Sequence, residues 1–318
     1  MPAQSETVRP PPLLRPTASW RDYARLVRLP NVFTAVADIA LGWFAAWAAG
    51  TPADRWPSFL LLIGASACLY SAGMIWNDFF DIEQDRRERP FRPLPSGRIS
   101  RGSAAAQGLS ALLLGLVFAA LAGLRMNGLS YRPVIIAGLL VLCILLYDGW
   151  LKRTWAGPIA MGSCRFLNVL LGLSVAEGFA LAGQMYLASV VGLYIVGVTW
   201  FARTEARQSK RGSLSAASGV MLISLILALA APLCLGRASP SPLFPYLLVG
   251  LGFFLGIPII RATADARPAR VQAAVKRSIM GLVLLDAILA SALAGTIGLL
   301  ILLLLLPALY VGRWIYST

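Results

Sequence analysis

Long apolar segments alternate with short polar breaks along most of the chain. Each segment approaches the roughly 20 residues that an α-helix needs to cross the hydrocarbon core of a bilayer. Ten segments fit this length: 31–49, 58–77, 104–124, 133–149, 157–176, 185–203, 214–235, 243–261, 273–293 and 295–314. We therefore predict an all-α integral membrane protein, in which a disordered N-terminus and a basic interfacial segment over 1–30 precede a membrane domain over 31–318.

The boundary between the last two segments is the least regular part of the pattern. Residues 278–312 form one apolar stretch, which exceeds the upper limit of about 25 residues for a single span. Ala294 and Gly295 interrupt it, and we place the boundary there. The fold prediction is a bundle of nine or ten transmembrane helices.

The composition and the placement of charge agree with this topology. Hydrophobic residues make up 58% of the 318 positions and charged residues 13%, whereas soluble proteins carry about 25% charged residues. The net charge of +14 would also suit a nucleic-acid-binding protein. However, 24 of the 28 Lys and Arg residues fall on one side when successive breaks are assigned to alternate faces. This bias predicts cytoplasmic termini in a bacterial inner membrane, with lipid and an anionic substrate as partners rather than nucleic acid.

Two residue types narrow the possible chemistry. The sequence contains no histidine, which excludes His-based zinc sites and Ser-His-Asp triads. Its four cysteines lie within apolar segments and form no CxxC pair. We interpret them as small buried apolar residues.

An acidic cluster at the inner end of the second segment is the strongest functional signal. Asp78, Asp81 and Asp85 are spaced i, i+3 and i+7, and in a continuous helix they share a stripe roughly 60° wide. Three carboxylates at a membrane boundary repel one another, and a divalent cation such as Mg²⁺ relieves that repulsion. The alternative is a solvated helix end that pairs with the arginines following it.

The segment 77–85 reads NDxxDxxxD, which resembles the signature of the UbiA superfamily of membrane prenyltransferases. RLPN at 28–31 is similar to the family's entry into its first span. After the fourth span, Tyr147 followed by Lys152 and Arg153 is also similar to the family. The resemblance covers most of the chain.

The resemblance implies a bundle of helices around a central cavity open to lipid. In that family Mg²⁺ holds an isoprenoid diphosphate between two Asp-rich motifs, and ionisation gives an allylic cation that a hydrophobic or aromatic acceptor attacks. It implies catalytic roles for Asp78, Asp81, Asp85, Lys152 and Arg153, the three aspartates being metal ligands. We expect substrate contacts from Asn31, Asn77, Tyr147, Arg165, Asn168, Arg203, Glu205 and Lys210.

The chain departs from the family at the second motif, where DxxxD is expected at the inner end of the sixth span. An internal match at an offset of 124 residues sets Asp81 against Glu205 and Asp85 against Ser209, as a duplication would. Only Glu205 remains a carboxylate, and we expect it to be a remnant metal ligand. The string WFARTEARQSK at 200–210 and the end of the chain resemble the EboC-like branch of the superfamily.

Charges inside the predicted spans are costly and therefore informative. We predict that Arg165 lines the cavity and that Asp38 or Asp286 either partners it or lines the pocket. Asp148 is interpreted as a local ion pair with Lys152.

Three functions remain open from the sequence. The first is Mg²⁺-dependent transfer of a prenyl group from a lipid diphosphate to an acceptor. The second is a non-catalytic protein of the same scaffold that binds or helps transport a hydrophobic metabolite, which the degenerate second motif favours. The third is an ion-coupled transporter, which requires Asp38, Arg165 and Asp286 to line one path.

Overall fold

A computed structural model describes residues 18–126, 129–203, 209–236 and 241–315, which form helices and turns without a β-strand. The α-helices of these ranges are α1 (Trp20–Leu26), α2 (Leu29–Ala48), α3 (Trp56–Phe80), α4 (Ile82–Glu88), α5 (Arg101–Leu124), α6 (Arg132–Gly149), α7 (Gly157–Leu173), α8 (Leu181–Ala202), α9 (Arg211–Cys234), α10 (Phe244–Ala264), α11 (Pro268–Ala294) and α12 (Leu305–Trp314). Three 3₁₀ segments join them at Ala53–Arg55, Leu151–Arg153 and Gly295–Leu304.

Most of these helices are long and apolar enough to cross a membrane. Within the described residues, eight segments meet that length and hydropathy: α2, α3 with its preceding 3₁₀ turn, α5, α6, α8, α9, α10, and the stretch from α11 to α12. The predicted all-α membrane fold is confirmed.

The fifth span is shorter than predicted, because α7 ends at Leu173 rather than continuing to 176. The hydroxyl of Ser174 donates to the Leu171 carbonyl at 2.6 Å. A serine that bonds a carbonyl of the last turn competes with continued helix.

The predicted break between the last two spans is present. Gly295 ends α11 with φ 75° and ψ −163°, a backbone conformation that glycine adopts without steric cost. The chain then packs back along α11, so closely that a Cβ on Gly298 would lie 2.4 Å from the Ala290 carbonyl carbon. The returning leg consists of the 3₁₀ segment and α12, and both contact α2.

Helix α2 lies at the centre of the bundle and packs against α3, α7, α11 and α12. Its crossing with α7 is made by two glycines. A Cβ on Gly42 would lie 2.6 Å from the carbonyl carbon of Gly172, and one on Gly172 would lie 2.7 Å from the Ile39 oxygen. The two backbones are in direct contact, as small residues permit between membrane helices.

We therefore expect Gly42→Ala to destabilise the bundle by about 1–3 kcal/mol, because the added methyl group meets backbone that cannot rotate away. Gly138→Ala is the matched control, since a Cβ there meets nothing within 4 Å and alanine has a higher helix propensity. Thermal unfolding in detergent measures both. Equal midpoints for the two variants would contradict the close crossing.

The two ends of the bundle differ. At the start of α3, Arg55 donates to the Arg125 carbonyl at 2.7 Å and to Glu177 at 3.1 Å, and Arg132 donates to Gln184 at 2.9 Å. These bonds tie the connecting loops together at that end.

At the opposite end, α1 is docked on the protein. Leu26 is fully buried, and Asp22 pairs with Arg98 at 2.8 Å. Leu26 packs with Ile75 and Ile82, so α1 lies beside the end of α3 that carries the acidic cluster.

Candidate active site

The acidic cluster sits where α3 gives way to α4. Helix α3 ends at Phe80, and Asp81 stands between the two helices with φ −95° and ψ 7°. The prediction of a single stripe assumed a continuous helix through the cluster, but the helix is interrupted at Asp81. As a result the three carboxylates divide between two groups of cations.

Asp78 and Asp85 form the first group. Both are buried, and Arg92 bridges them, with its Nη1 2.8 Å from Asp85 Oδ2 and 3.2 Å from Asp78 Oδ1. Arg28 adds a second contact to Asp78 at 3.3 Å. Burial raises the pKa of the Asp85 carboxyl, and Arg92 partly opposes that rise.

Arg28 is held in an unusual conformation. It caps the N-terminus of α2 with φ 48° and ψ 52°, and among the described residues it is the one non-glycine with positive φ. Such a conformation costs a residue with a Cβ of order 1 kcal/mol or more and persists where surrounding contacts hold it. Here it places a guanidinium beside Asp78 and on the wall of the cavity.

Asp81 forms the second group, with cations from the turn between α6 and α7. Lys152 Nζ lies 2.7 Å from Asp81 Oδ2 and 3.1 Å from Asn77 Oδ1, and Arg153 Nη2 lies 3.2 Å from Asp81 Oδ1. The 3₁₀ turn over 151–153 presents both cations to the end of α3. The structure therefore brings together the two segments that the sequence singled out separately.

A cavity of about 130 Å³ opens beside these groups, between α2, α3, α6 and α7. Its polar lining consists of Arg28, Ser66, Tyr70, Asn77, Tyr147, Asp148, Arg165 and Asn168, and the rest is mainly aliphatic and sulfur-bearing. The cavity has polar groups at the end of α3, where Asn77 and Asp148 lie, and a second polar group deeper along α7 at Arg165 and Asn168, with apolar walls between them. Such a cavity can hold a ligand with an anionic head and a hydrocarbon tail.

Asp148 does not form the ion pair with Lys152 that the sequence predicted. It is 2% exposed and lines the cavity, but Lys152 turns to Asp81 instead, so the expected ion pair is not formed. The sequence spacing suggested a partner that the fold assigns elsewhere.

Arg165 lines the cavity and is also paired. It donates to Asp38 at 3.0 Å and to Thr34 at 2.8 Å, and it lies 5.5 Å from the Tyr70 ring centre. Asn168 donates to the same Asp38 oxygen at 2.8 Å. Of the two acids that the sequence offered, the structure therefore pairs Arg165 with Asp38.

This geometry bears on the transporter alternative. Asp38 and Asp286 are fully buried, and only Arg165 of the three charges lines the cavity. The three charges nevertheless lie close enough to interact with one another, so the transporter alternative stays a prediction.

The remaining predicted residues do not line the cavity or lie outside the described ranges. Asn31 is in the first turn of α2, and although it is not a lining residue, its side chain contacts Tyr70 on the cavity wall. Arg203 is exposed and donates to the Thr154 carbonyl at 2.6 Å, and Lys210 is exposed. Glu205 lies outside the described residues.

The donor set can be compared with the needs of Mg²⁺. Within the described ranges, no group of three Asp, Glu or Cys side chains is arranged as a ready metal cage. Mg²⁺, however, is commonly held by one or two carboxylates together with waters and substrate phosphate oxygens. The oxygens of Asp78, Asp81 and Asn77 therefore fit an ion that arrives with a phosphorylated substrate.

Sequence reasoning missed several cavity residues. Arg28 was present only as the first letter of RLPN, and Ser66 and Tyr70 carried no signal because they sit in an apolar segment. Ser66 donates to Asn168 at 2.7 Å. For Ser66 and Tyr70, a polar side chain within the predicted span 58–77 is the one sign that could have marked them.

Comparison with known proteins supports a relationship over most of the chain. The model of the UbiA prenyltransferase family matches residues 39–280. The chain is 31% identical over 226 residues to a digeranylgeranylglyceryl phosphate synthase from Methanothermobacter thermautotrophicus, covering 64% of this chain and 75% of the relative. It is 29% identical over 262 residues to a protoheme IX farnesyltransferase from Caulobacter vibrioides, covering 75% and 74%.

Solved structures share the fold. A digeranylgeranylglyceryl phosphate synthase superimposes with a TM-score of 0.63 at 21% identity, over 86% of this chain and 98% of that one. A UbiA homolog from Archaeoglobus fulgidus, solved with DMAPP and Mg²⁺, gives 0.54 at 14% identity, over 84% and 99%. Together with the family match over most of its length, these likenesses establish that the chain belongs to the UbiA prenyltransferase family.

Proposed function

We propose that this protein transfers a prenyl group from an isoprenoid diphosphate to a hydrophobic or aromatic acceptor within the membrane, with Mg²⁺ as cofactor. The observation that carries the proposal is the cavity itself. Its apolar walls suit an isoprenoid tail, and Arg28, Asn77 and Asp148 line it beside the cluster in which Lys152 meets Asp81. The names of the two relatives, a prenylated-lipid synthase and a farnesyltransferase, agree with this substrate class.

The diphosphate binds at the inner end of the cavity. Arg28 and Lys152 provide cations there, and both already contact carboxylates of the Asp-rich segment. Asp78, Asp81 and Asp85 are the proposed metal ligands, with Glu205 as the remnant of the second set. When bound, Mg²⁺ neutralises charge on the diphosphate as it leaves.

Residues of the chain then favour cleavage of the substrate into an allylic cation and a diphosphate anion. The bond between C1 of the prenyl group and the diphosphate oxygen breaks, and its electron pair stays with the diphosphate. Arg28 and Lys152 stabilise the departing anion. The aromatic rings of Tyr70 and Tyr147 line the same cavity, where a ring face stabilises a nearby cation.

The apolar walls complete the site. Leu69, Leu140, Ile144 and Met161 surround the space beyond the charged end. They exclude water from the allylic cation, so that the acceptor rather than water captures it. Arg165 and Asn168, which lie deeper along α7, offer polar contacts to the acceptor.

The test is incubation of the purified protein with labelled dimethylallyl, geranyl, farnesyl and geranylgeranyl diphosphates and a membrane lipid extract, with and without Mg²⁺. A labelled product that forms only with Mg²⁺ is expected. Absence of both product and binding in every combination would refute the proposal.

The non-catalytic alternative stays open for one reason. The second motif retains a single carboxylate, Glu205, and places Ser209 where an acid is expected. Mg²⁺-dependent binding of a prenyl diphosphate without product would favour a binding or transport role on this scaffold.

The two cations of the α6–α7 turn, Lys152 and Arg153, are expected to contribute unequally to binding of the prenyl diphosphate. Lys152→Met should weaken binding of geranyl diphosphate about 10- to 100-fold, because hydrogen bonds from charged groups contribute roughly 1.5–3 kcal/mol. The Arg153 side chain is 59% exposed, so Arg153→Met should change binding less than about threefold. Calorimetric titration in detergent with Mg²⁺ distinguishes the variants. A larger effect at Arg153 would show that the phosphate site lies outside the cavity.

A further inference from the structure

Two cysteines that are distant in sequence meet at the wall of the cavity. Cys143 lies on α6 and Cys164 on α7, with their sulfur atoms 3.4 Å apart. Both are free thiols. Cys143 also contacts the Ala160 carbonyl at 3.4 Å, which keeps its side chain directed toward α7.

This contact is close to the geometry of a covalent bond. A disulfide has its sulfurs about 2.05 Å apart, so the pair needs to approach by roughly 1.4 Å. Side-chain rotation together with a small movement of two neighbouring helices can supply that distance. Cys68 and Cys234, by contrast, contact no other thiol among the described residues, and they provide an internal reference.

The position of the pair indicates what can reach it. Cys164 lines the cavity next to Arg165, and the ring of Tyr70, which Arg165 contacts, lines the same cavity. Both cysteines lie within membrane-spanning helices, where charged oxidants do not partition. A flat, uncharged ring that dissolves in lipid can enter from the bilayer and lie against the aromatic lining.

We propose that Cys143 and Cys164 form a reversible redox site, oxidised by a lipid-soluble quinone that enters the cavity. The two S–H bonds break and one S–S bond forms. The two protons and two electrons pass to the quinone oxygens, so the quinone becomes a hydroquinone and the thiol pair becomes a disulfide. Thiol reductants reverse the step by exchange.

The consequence is a covalent link between α6 and α7 beside the cavity. These helices carry Asp148 and Arg165, two of the charged groups that line it. Disulfides on the cytosolic side of cells are mostly transient and serve redox sensing or catalysis. The site responds to the oxidation state of the membrane and does not depend on the proposed transfer reaction.

The experiment uses the full chain in lipid nanodiscs without oxygen, treated with duroquinone, whose fully substituted ring resists addition of thiols. Free thiols are counted by maleimide labelling and intact mass, and linked peptides are mapped without reductant. The expected result is loss of two of the four thiols, a Cys143–Cys164 linked peptide, formation of hydroquinone and recovery of four thiols with dithiothreitol. Four unchanged thiols, or a link through Cys68 or Cys234, would overturn the proposal.

Two comparisons test the site and its route of access. A Cys68→Ser/Cys234→Ser variant should oxidise like the unaltered protein, whereas Cys143→Ser should lose no thiol to a disulfide. If Cys143→Ser does not fold, peptide mapping of the unaltered protein decides the question alone. Glutathione disulfide, which is charged and bulky, should oxidise the pair at least tenfold more slowly than duroquinone. Equal rates would refute entry through the cavity.

Discussion

Replacing Asp81 by alanine is expected to lower prenyl transfer by about 10- to 100-fold, the range that loss of a contact at a metal site costs. Asp81 is the one carboxylate of the cluster that contacts the cations of the α6–α7 turn, with 2.7 Å to Lys152 and 3.2 Å to Arg153. Its removal deletes a proposed Mg²⁺ ligand and releases Lys152 from its position at Asn77. Both losses act on the diphosphate before the bond to C1 breaks.

The measurement is the rate of product formation as a function of Mg²⁺ concentration, using whichever prenyl diphosphate the unaltered protein accepts. Glu83→Gln is the matched control. Glu83 lies two residues away on α4, its side chain is 70% exposed, and it pairs only with Arg86 among the described residues. We expect the control to keep its rate and its Mg²⁺ dependence. Retention of both by Asp81→Ala would show that the Asp-rich segment does not hold the metal.

Replacing Asp38 by alanine is expected to destabilise the protein by about 3–5 kcal/mol, the cost of leaving one member of a buried ion pair without its partner. Asp38 is fully buried, and one of its oxygens accepts from Arg165 at 3.0 Å and from Asn168 at 2.8 Å. Without that oxygen, Arg165 retains only Thr34 as a hydrogen-bond partner among the described residues.

Thermal unfolding in detergent measures this loss, and two further variants interpret it. Asp38→Ala with Arg165→Met should recover part of the stability, because neither member of this pair is then left without its partner. Asp265→Ala is the exposed counterpart, since Asp265 pairs with Arg267 and Arg270 at the surface, and it should cost less than about 1 kcal/mol. A small effect at Asp38, equal to that at Asp265, would mean that water reaches Arg165 in the folded protein.

The sequence marked Asp81 and Asp38 in different ways. Asp81 belongs to a spaced motif, so its place in an acidic cluster was visible from residues within one or two turns of helix, and its role stays a prediction. Asp38 was visible as a charge within an apolar segment, but its partner was not. Asp38 and Arg165 lie on spans that are far apart in the chain, and only the packing of α2 against α7 determines that they meet.

The sequence by itself determined the features that depend on local physics. Segment length and hydropathy predicted the spans, and Ala294 with Gly295 predicted the reversal between the last two, because glycine allows a backbone conformation that other residues avoid. The spacing of Asp78, Asp81 and Asp85 predicted a site at the end of α3. Each of these signals lies within about 20 residues, where helix geometry relates sequence spacing to position.

Only the tertiary structure decided how those parts combine. It divided the three carboxylates between Arg92 and Lys152, left Asp148 on the cavity wall instead of paired with Lys152, and brought Cys143 against Cys164. The physical reason is that lipid-facing and bundle-facing positions of a membrane helix are both apolar, so hydropathy does not reveal which face meets which neighbour. Contacts between helices follow from packing of side-chain shapes, and these become visible only once the helices are assembled.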